Sequence, residues 1–211
     1  GASIYLGADG TEEELEGASA ACREAGGAET PWGIHDLTQR DAAEQMVAAA
    51  LERFGRVDIL INNAGLRARK AFGEFTHEDF DRLVSVNLRS PFFASQAILP
   101  AMRAQGGGCI VHIASTLGLV ASRYGAIYNL TKAGLIQLTR SMTLELAGEG
   151  IRVNAMCPGP VDTEGFLAGR NPGELEQRAR DVPAGRFGTP EEVAGVVAFL
   201  VSEDAAYVHG H

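Results

Sequence analysis

Short aliphatic runs alternate along this chain with longer segments whose apolar residues recur at helical period. Residues 2–8, ASIYLGA, read as a strand, and residues 11–25 as an amphipathic helix that Thr11 caps, with acids in its first turn. TPWGIHD is a second short strand, followed by a helix over 38–54 in which Thr38 and Asp41 resemble a capping pair. VDILINN, residues 57–63, is apolar enough for a strand buried on both faces. A loop from Ala64 to Glu74 leads to a long helix from about Thr76 to Gln105, where Pro91 predicts a kink or local unwinding. CIVHIAS is the next strand and GAIYNLTKAGLIQLTRSMTLEL the next helix, and IRVNAMCPGP at 151–160 holds the last strand. A Gly-rich, charge-rich segment runs from Val161 to Gly188, and a final helix runs from Pro190, which suits a first helical position, to about Glu203.

Strand and helix in alternation predict an α/β fold: a doubly wound parallel sheet, Rossmann-like, in three layers α/β/α. The 211 residues read as a single domain, with no internal repeat or linker. A net charge of −9 and the lack of any basic block argue against a nucleic-acid partner. No apolar run reaches membrane-spanning length and no signal-peptide pattern opens the chain, so the expectation is a soluble, cytoplasmic protein. Cys22, Cys109 and Cys157 are widely spaced with no C-x-x-C, which argues against a disulfide framework or zinc site and fits a reducing compartment. The five histidines lack ligand spacing with carboxylates, and no metal is expected; the closing HGH reads as a surface tail.

The chemistry concentrates between Ser115 and Lys132. Tyr128 and Lys132 stand at i and i+4, on one face of one helix, and Ser115 closes an apolar strand. Carbonyl reduction needs a proton and a hydride delivered to one C=O. An ammonium about 5 Å from a phenol favours phenolate by roughly 3 kcal/mol at an effective dielectric near 20, which makes Tyr128 a usable acid or base, while the Ser115 hydroxyl polarises the substrate oxygen. A bare Y-x-x-x-K pair also arises with the tyrosine packed and the lysine solvated, so its meaning depends on the residues around it.

Those residues form a series: Asp36 after the second strand, NNAG from Asn62 to Gly65, Asn87 within its helix, Ser115, YNLTK from Tyr128 to Lys132, PGPVDT from Pro158 to Thr163, and VPAGRFGTPEEVAGVVAFLVSEDAAYVHG. In this order and spacing the chain resembles the short-chain dehydrogenase/reductase family over essentially its whole length. The resemblance implies an NAD(P)-dependent oxidoreductase interconverting a ketone and a secondary alcohol, with Asn87, Ser115, Tyr128 and Lys132 as a catalytic tetrad. Asn87 is expected to perturb its helix and hold a water that links Lys132 to solvent; otherwise it is a packing defect. Asp36 and Leu37 are expected at the adenine, and Asn63, Ala64 and Gly65 at its ribose, although NNAG is also a tight turn. Tyr128 and Lys132 are expected on the nicotinamide ribose, and Pro158, Gly159, Val161 and Thr163 over the nicotinamide. Asp9 with Glu12 to Glu14 favours NAD, because acids meet a ribose 2′-hydroxyl better than a 2′-phosphate; NADP is not excluded.

The substrate pocket is expected between residues 66–74, Thr116 to Tyr124 and a lid from Val161 to Arg186. Arg67, Arg69 and Lys70 read as a solvated basic loop, with steering of an anionic substrate as the alternative. VPAGRFGTPEEVA resembles 3-oxoacyl carrier-protein reductases and sugar or polyol dehydrogenases alike. The helices carrying Asn87 and Tyr128 are expected to pack against a second copy, giving a dimer or tetramer.

Both ends differ from the family pattern. Members begin with a strand, a T-G-x-x-x-G-x-G loop and a helix, and they continue beyond the equivalent of His209 into a strand ending near V-D-G-G. The first of these strands would lie between residues 2–8 and VDILINN, and its loop would carry the cofactor pyrophosphate. Alone, the 211 residues are therefore expected not to form an active enzyme: they are part of a longer chain or a fragment. A nucleotide-sensing binding module and an inactive assembly fragment are the rival readings.

Overall fold

Local chemistry sets where most helices begin in the computed structural model, which describes residues 1–167 and 170–211. Helix α1 (Glu12–Glu24) starts where the Glu14 N–H donates to Thr11 Oγ1 and the Thr11 N–H donates back to the Glu14 carboxylate. The last helix, Pro190–Val201, uses the same device between Thr189 and Glu192. Helix α2 (Ala42–Phe54) begins later than the sequence pattern suggests. Thr38 donates its N–H and hydroxyl to Asp36 Oδ1 at 2.9 and 2.6 Å, so it closes a turn after a strand, and Asp41 holds the N-cap position instead.

The strands are short and parallel. β1 (Leu6–Ala8) pairs with β2 (Trp32–Ile34), Leu6 opposite Trp32. β3 (Ile59–Asn62), β4 (Gly108–Ile113) and β5 (Ile151–Met156) form a second sheet in that order, with Ile59 opposite Cys109 and Gly108 opposite Ile151. Helices connect the strands, which gives the doubly wound three-layer α/β fold. Val47, Ile98, Met102, Ile110, Ile151 and Val153 form the main core between α2, the helix carrying Ile98, and the β3–β5 sheet. Cys109 and Val111 pack on Leu200, while Ala114 packs on Leu135 and Ile136.

A cavity of about 1160 Å³ separates β1 from β3, lined by Ile4 and Leu6 on one side and Ile59 and Ile61 on the other. It lies where the family resemblance puts a further strand. Its presence corrects the expectation that VDILINN is buried on both faces: Leu60 and Asn62 are buried, but Ile59 and Ile61 are 40% and 45% exposed to the cleft.

The long helix expected from Thr76 to Gln105 is divided. α3 (His77–Val84) passes through a π turn at Ser85–Arg89, where the Ser90 N–H reaches Ser85 O, into α4 (Ser90–Ala104). Pro91 has no N–H to give the Asn87 carbonyl, so regular α-helix fails there and the wider turn takes over. Helix α5 (Ala126–Leu146) carries Tyr128 and Lys132. Two helices fold within the expected lid, α6 (Glu164–Leu167) and α7 (Pro172–Arg180), and Val161 bridges Gly188 where the segment leaves and returns. Lid residues 168 and 169 lie outside the described residues. Helix α8 (Pro190–Val201) follows, and the final residues run along β5, with the Gly210 N–H donating to Val153 O at 2.9 Å.

Candidate active site

Close packing of a turn on α5 assembles the centre of the site. Ser115 leaves the end of β4 and caps the short turn Thr116–Gly118, its Oγ accepting from the Leu117 N–H at 3.1 Å. A Cβ on Gly118 would stand 2.7 Å from the Lys132 carbonyl carbon, so only glycine lets this turn lie against the helix. Lys132 is buried, and its Nζ donates to Ile113 O at 2.6 Å, which ties α5 to the strand end that carries Ser115. The same ammonium stands 5.8 Å from the centre of the Tyr128 ring. Burial pushes its pKa down to about 8, with the Cys157 thiol acting the other way. Tyr128 itself is half-buried.

Asn87 is fully buried in the π turn, and its side chain is committed to protein groups. Its Oδ1 accepts from the Leu66 N–H at 2.7 Å, and its Nδ2 donates to Leu66 O at 2.9 Å and Thr131 Oγ1 at 3.1 Å. The side chain therefore clamps the loop after β3 to α5. A Cβ on Gly65 would come within 3.4 Å of Lys132 Nζ and 3.6 Å of Asn87 Oδ1, so the loop, lysine and asparagine share one small space.

The other expected cofactor residues fall into three places. Asn63, Ala64 and Gly65 are exposed and line the large cleft. Asp9 and Asp36 meet Glu78, Asp81, Arg82 and Ser85 around a second cavity of about 850 Å³. The Asp36 carboxylate accepts from Thr38 and Gln39 and is held below the usual range by those bonds, Thr38 first; Leu37 beside it is a core residue against Ala42 and Val86. Pro158 lies beside the Ser115 turn, its carbonyl accepting from the Thr116 N–H at 3.0 Å. Gly159 is exposed, Val161 forms the bridge to Gly188, and Thr163 Oγ1 accepts from the Phe166 N–H at 3.2 Å. Among the described residues no hydrogen bond joins Thr163 to Ser115 or Tyr128.

Residues that the sequence reading passed over also meet here. These are Gly118 and Thr131, both required for the packing just described; Arg67, from the expected basic loop, joins them with its guanidinium carbon 5.5 Å from the Tyr128 ring centre. Gly118 carries a faint signal, a glycine between serine and tyrosine; the Thr131 contact spans distant residues and has none. Of the basic loop, Lys70 pairs with Asp79 at 2.6 Å. Among the described residues no helix is long and apolar enough to cross a membrane, and no three His, Cys, Asp or Glu side chains gather as a metal site.

The family model described as enoyl-(acyl carrier protein) reductase matches residues 1–211. A 3-oxoacyl-[acyl-carrier-protein] reductase of Thermotoga maritima is 35% identical over 211 residues, 100% of this chain and 84% of that protein. The L-rhamnose 1-dehydrogenase (NAD(P)(+)) of Azotobacter vinelandii is 37% identical over 217 residues, again 100% of this chain and 84% of the relative. Among solved structures, a mutant of a Serratia marcescens short-chain dehydrogenase/reductase superposes with a TM-score of 0.91 at 36% identity, over 100% of this chain and 84% of that one. The chain belongs to the short-chain dehydrogenase/reductase family, oxidoreductases that act on CH–OH groups with a nicotinamide dinucleotide.

Proposed function

We propose that the protein interconverts a small ketone and its secondary alcohol, with Tyr128 as acid and base, Ser115 as carbonyl polariser, Lys132 as the cation beside the phenol, and Asn87 as the anchor of a proton relay. The observation that carries this reading is Lys132: a buried ammonium, fixed on Ile113 O and 5.8 Å from the Tyr128 ring, is costly to bury and unexplained by packing. In this reading it would hold a positive charge near the tyrosine while the proton is transferred. Ser115 Oγ already accepts from Leu117, so its own hydrogen is available for the substrate oxygen. The Asn87 side chain is spent, and its main-chain carbonyl, which Pro91 cannot satisfy, is the group through which it would hold the relay.

The cofactor site fits these residues. Gly65 leaves open a cradle beside Lys132 and Asn87 that a side chain would fill, and Asn63 and Ala64 border it. Asp9 at the end of β1, with Asp36, Glu78 and Asp81 against Arg82, makes the second cavity acidic and supports NAD over NADP. When bound, the nicotinamide supplies or accepts the hydride; Tyr128 and Lys132 would hold its ribose, and Pro158, Gly159, Val161 and Thr163 would close over it.

We further read residues 1–211 as one nucleotide-binding domain of a cytoplasmic homo-oligomer. The free thiols of Cys22, Cys109 and Cys157 suit a reducing compartment, and exposed Phe92 on α4 and Leu130 on α5 suit a face covered by a second copy. Assay of the intact protein on secondary alcohols with NAD, beside its Tyr128→Phe form, tests the reading: cofactor reduction by the first and not the second is expected.

A further inference from the structure

Arg67 stands against the Tyr128 ring, and the charges of Arg170, Arg69 and Arg178 reach it there. Arg67 follows Leu66, whose N–H and carbonyl are both held by Asn87, so its guanidinium is presented from a pinned loop to a point 5.5 Å from the Tyr128 ring centre. Arg170 enters from between α6 and α7, its guanidinium carbon 4.3 Å over the Phe166 ring and its side chain only 11% exposed. Among the described residues its Nη1 is buried without a hydrogen-bond partner. Glu174 serves two guanidiniums, at 3.1 Å from Arg178 Nε and 3.9 Å from Arg170 Nε. Arg69 adds its charge to both Arg67 and Arg170.

Electrostatics describe the same crowding. Arg67 is held below the usual guanidinium range by desolvation first, the Tyr128 phenol opposing, with Arg170, Arg69 and Arg178 adding to the depression. Arg170 is lowered by desolvation, then by Arg178 and Arg69, with Glu174 opposing. Glu174 thus pairs with Arg178 and Arg170, while no salt bridge among the described residues neutralises Arg67 or Arg69, in a chain whose net charge is −9. Lys70, the remaining cation of the loop, is neutralised by Asp79 and takes no part.

We propose that the substrate carries an anionic group, a carboxylate, phosphate or sulfonate, within a few bonds of its carbonyl, and that Arg67 and Arg170 hold this group beside Tyr128. The proposal rests on the oxidoreductase reading above. A guanidinium fork grips such oxyanions in paired hydrogen bonds at about 2.8 Å. With Arg67 across the Tyr128 ring, an anion in its grip lies close to a carbonyl at the tyrosine hydroxyl. Its charge offsets the repulsion that Arg170, Arg69 and Arg178 exert on Arg67.

The test compares 3-oxobutanoate with its ethyl ester, the same ketone without the charge, on the intact protein with NADH and with NADPH. Ketones bearing a phosphonate or a sulfonate at the same position identify which anion fits best. The acid is expected to exceed the ester at least about tenfold in kcat/KM, and Arg67→Gln to cut that ratio about 10- to 100-fold, mainly through KM of the acid. Lys70→Gln is expected to keep the ratio. Equal use of acid and ester, a ratio untouched by Arg67→Gln, or an effect on cofactor KM alone would overturn the proposal, the last by assigning the arginines to the cofactor phosphates. If no ketone of any charge is reduced, the oxidoreductase reading fails and thermal unfolding decides the anion site by itself. Stabilisation by 3-oxobutanoate in the wild type and not in Arg67→Gln supports it, and no stabilisation overturns it.

Discussion

Lys132 Nζ donates to the carbonyl oxygen of Ile113 at 2.6 Å, two residues before Ser115. One hydrogen bond therefore sets the distance between the strand end that offers the serine and the helix that offers the tyrosine. It also holds a cation in a place that burial opposes, which gives the protein a measurable pH signature.

Burial lowers the Lys132 pKa to about 8, against an ordinary lysine value of 10.5. Between those values the unfolded chain keeps a proton that the folded chain has released, so stability rises with pH across that window; below about 8 both states are charged and the burial cost is felt in full. The rise attributable to Lys132 is about 3 kcal/mol. Lys132→Met should remove it, be no less stable than wild type at pH 7, and lose at least about 100-fold in turnover. Urea unfolding at pH 7 and pH 10 measures this, and an unchanged rise in the variant contradicts it.

His112 titrates on the acid side. It is fully buried in β4, its Nδ1 3.1 Å from Asn62 Nδ2, and burial, then the Lys132 charge, holds its pKa at about 4. The unfolded chain binds this proton first as pH falls from about 6.5, so the stability contributed by the neutral ring is lost between about 6.5 and 4. His112→Gln should lose about 3 kcal/mol less than wild type between pH 7 and pH 4. Equal acid losses in the two proteins would show that the imidazole is not the group responsible.

Much of this arrangement is legible in sequence because it is local. The capping boxes at Thr11 and Thr189 each lie within one helical turn, and Tyr128 and Lys132 share a face by spacing alone. Pro91 announces an irregularity in its helix, but the i to i+5 turn that resolves it depends on how Asn87 is held by Leu66 and Thr131, which are distant in sequence. Helix α2 starts at Ala42 and not at Thr38 because Thr38 has two uses, capping a helix or closing the Asp36 turn, and the strand end decides between them. Helix α7 carried readable signs, Asn171 before Pro172 and the Glu174–Arg178 and Glu176–Arg180 pairs, inside a segment whose glycines suggested loop. Ile59 and Ile61 read as doubly buried because apolarity reports what a strand needs and not what lies beside it.

Asp9 lies at the end of β1 in an acid-lined cavity. Asp9→Ala should relax discrimination against NADP by about 10-fold or more in kcat/KM, with the larger change in KM for NADP. Selectivity equal to that of the wild type would assign the choice of cofactor to another residue.

Phe92 is 44% exposed on α4 and Leu130 is 56% exposed on α5. If these helices meet a second copy, Phe92→Glu with Leu130→Glu should shift the protein toward monomer in light scattering at micromolar concentration, because two charges enter an apolar face. An unchanged mass would place the contact elsewhere.

Single-turnover kinetics of Tyr128→Phe test the central claim most directly. The substitution removes one hydroxyl and keeps the ring under Arg67, so cofactor affinity should stay within about twofold while hydride transfer falls about 10²- to 10⁴-fold. Turnover near that of the wild type, with cofactor bound equally well, would contradict the assignment of Tyr128 as the acid and base.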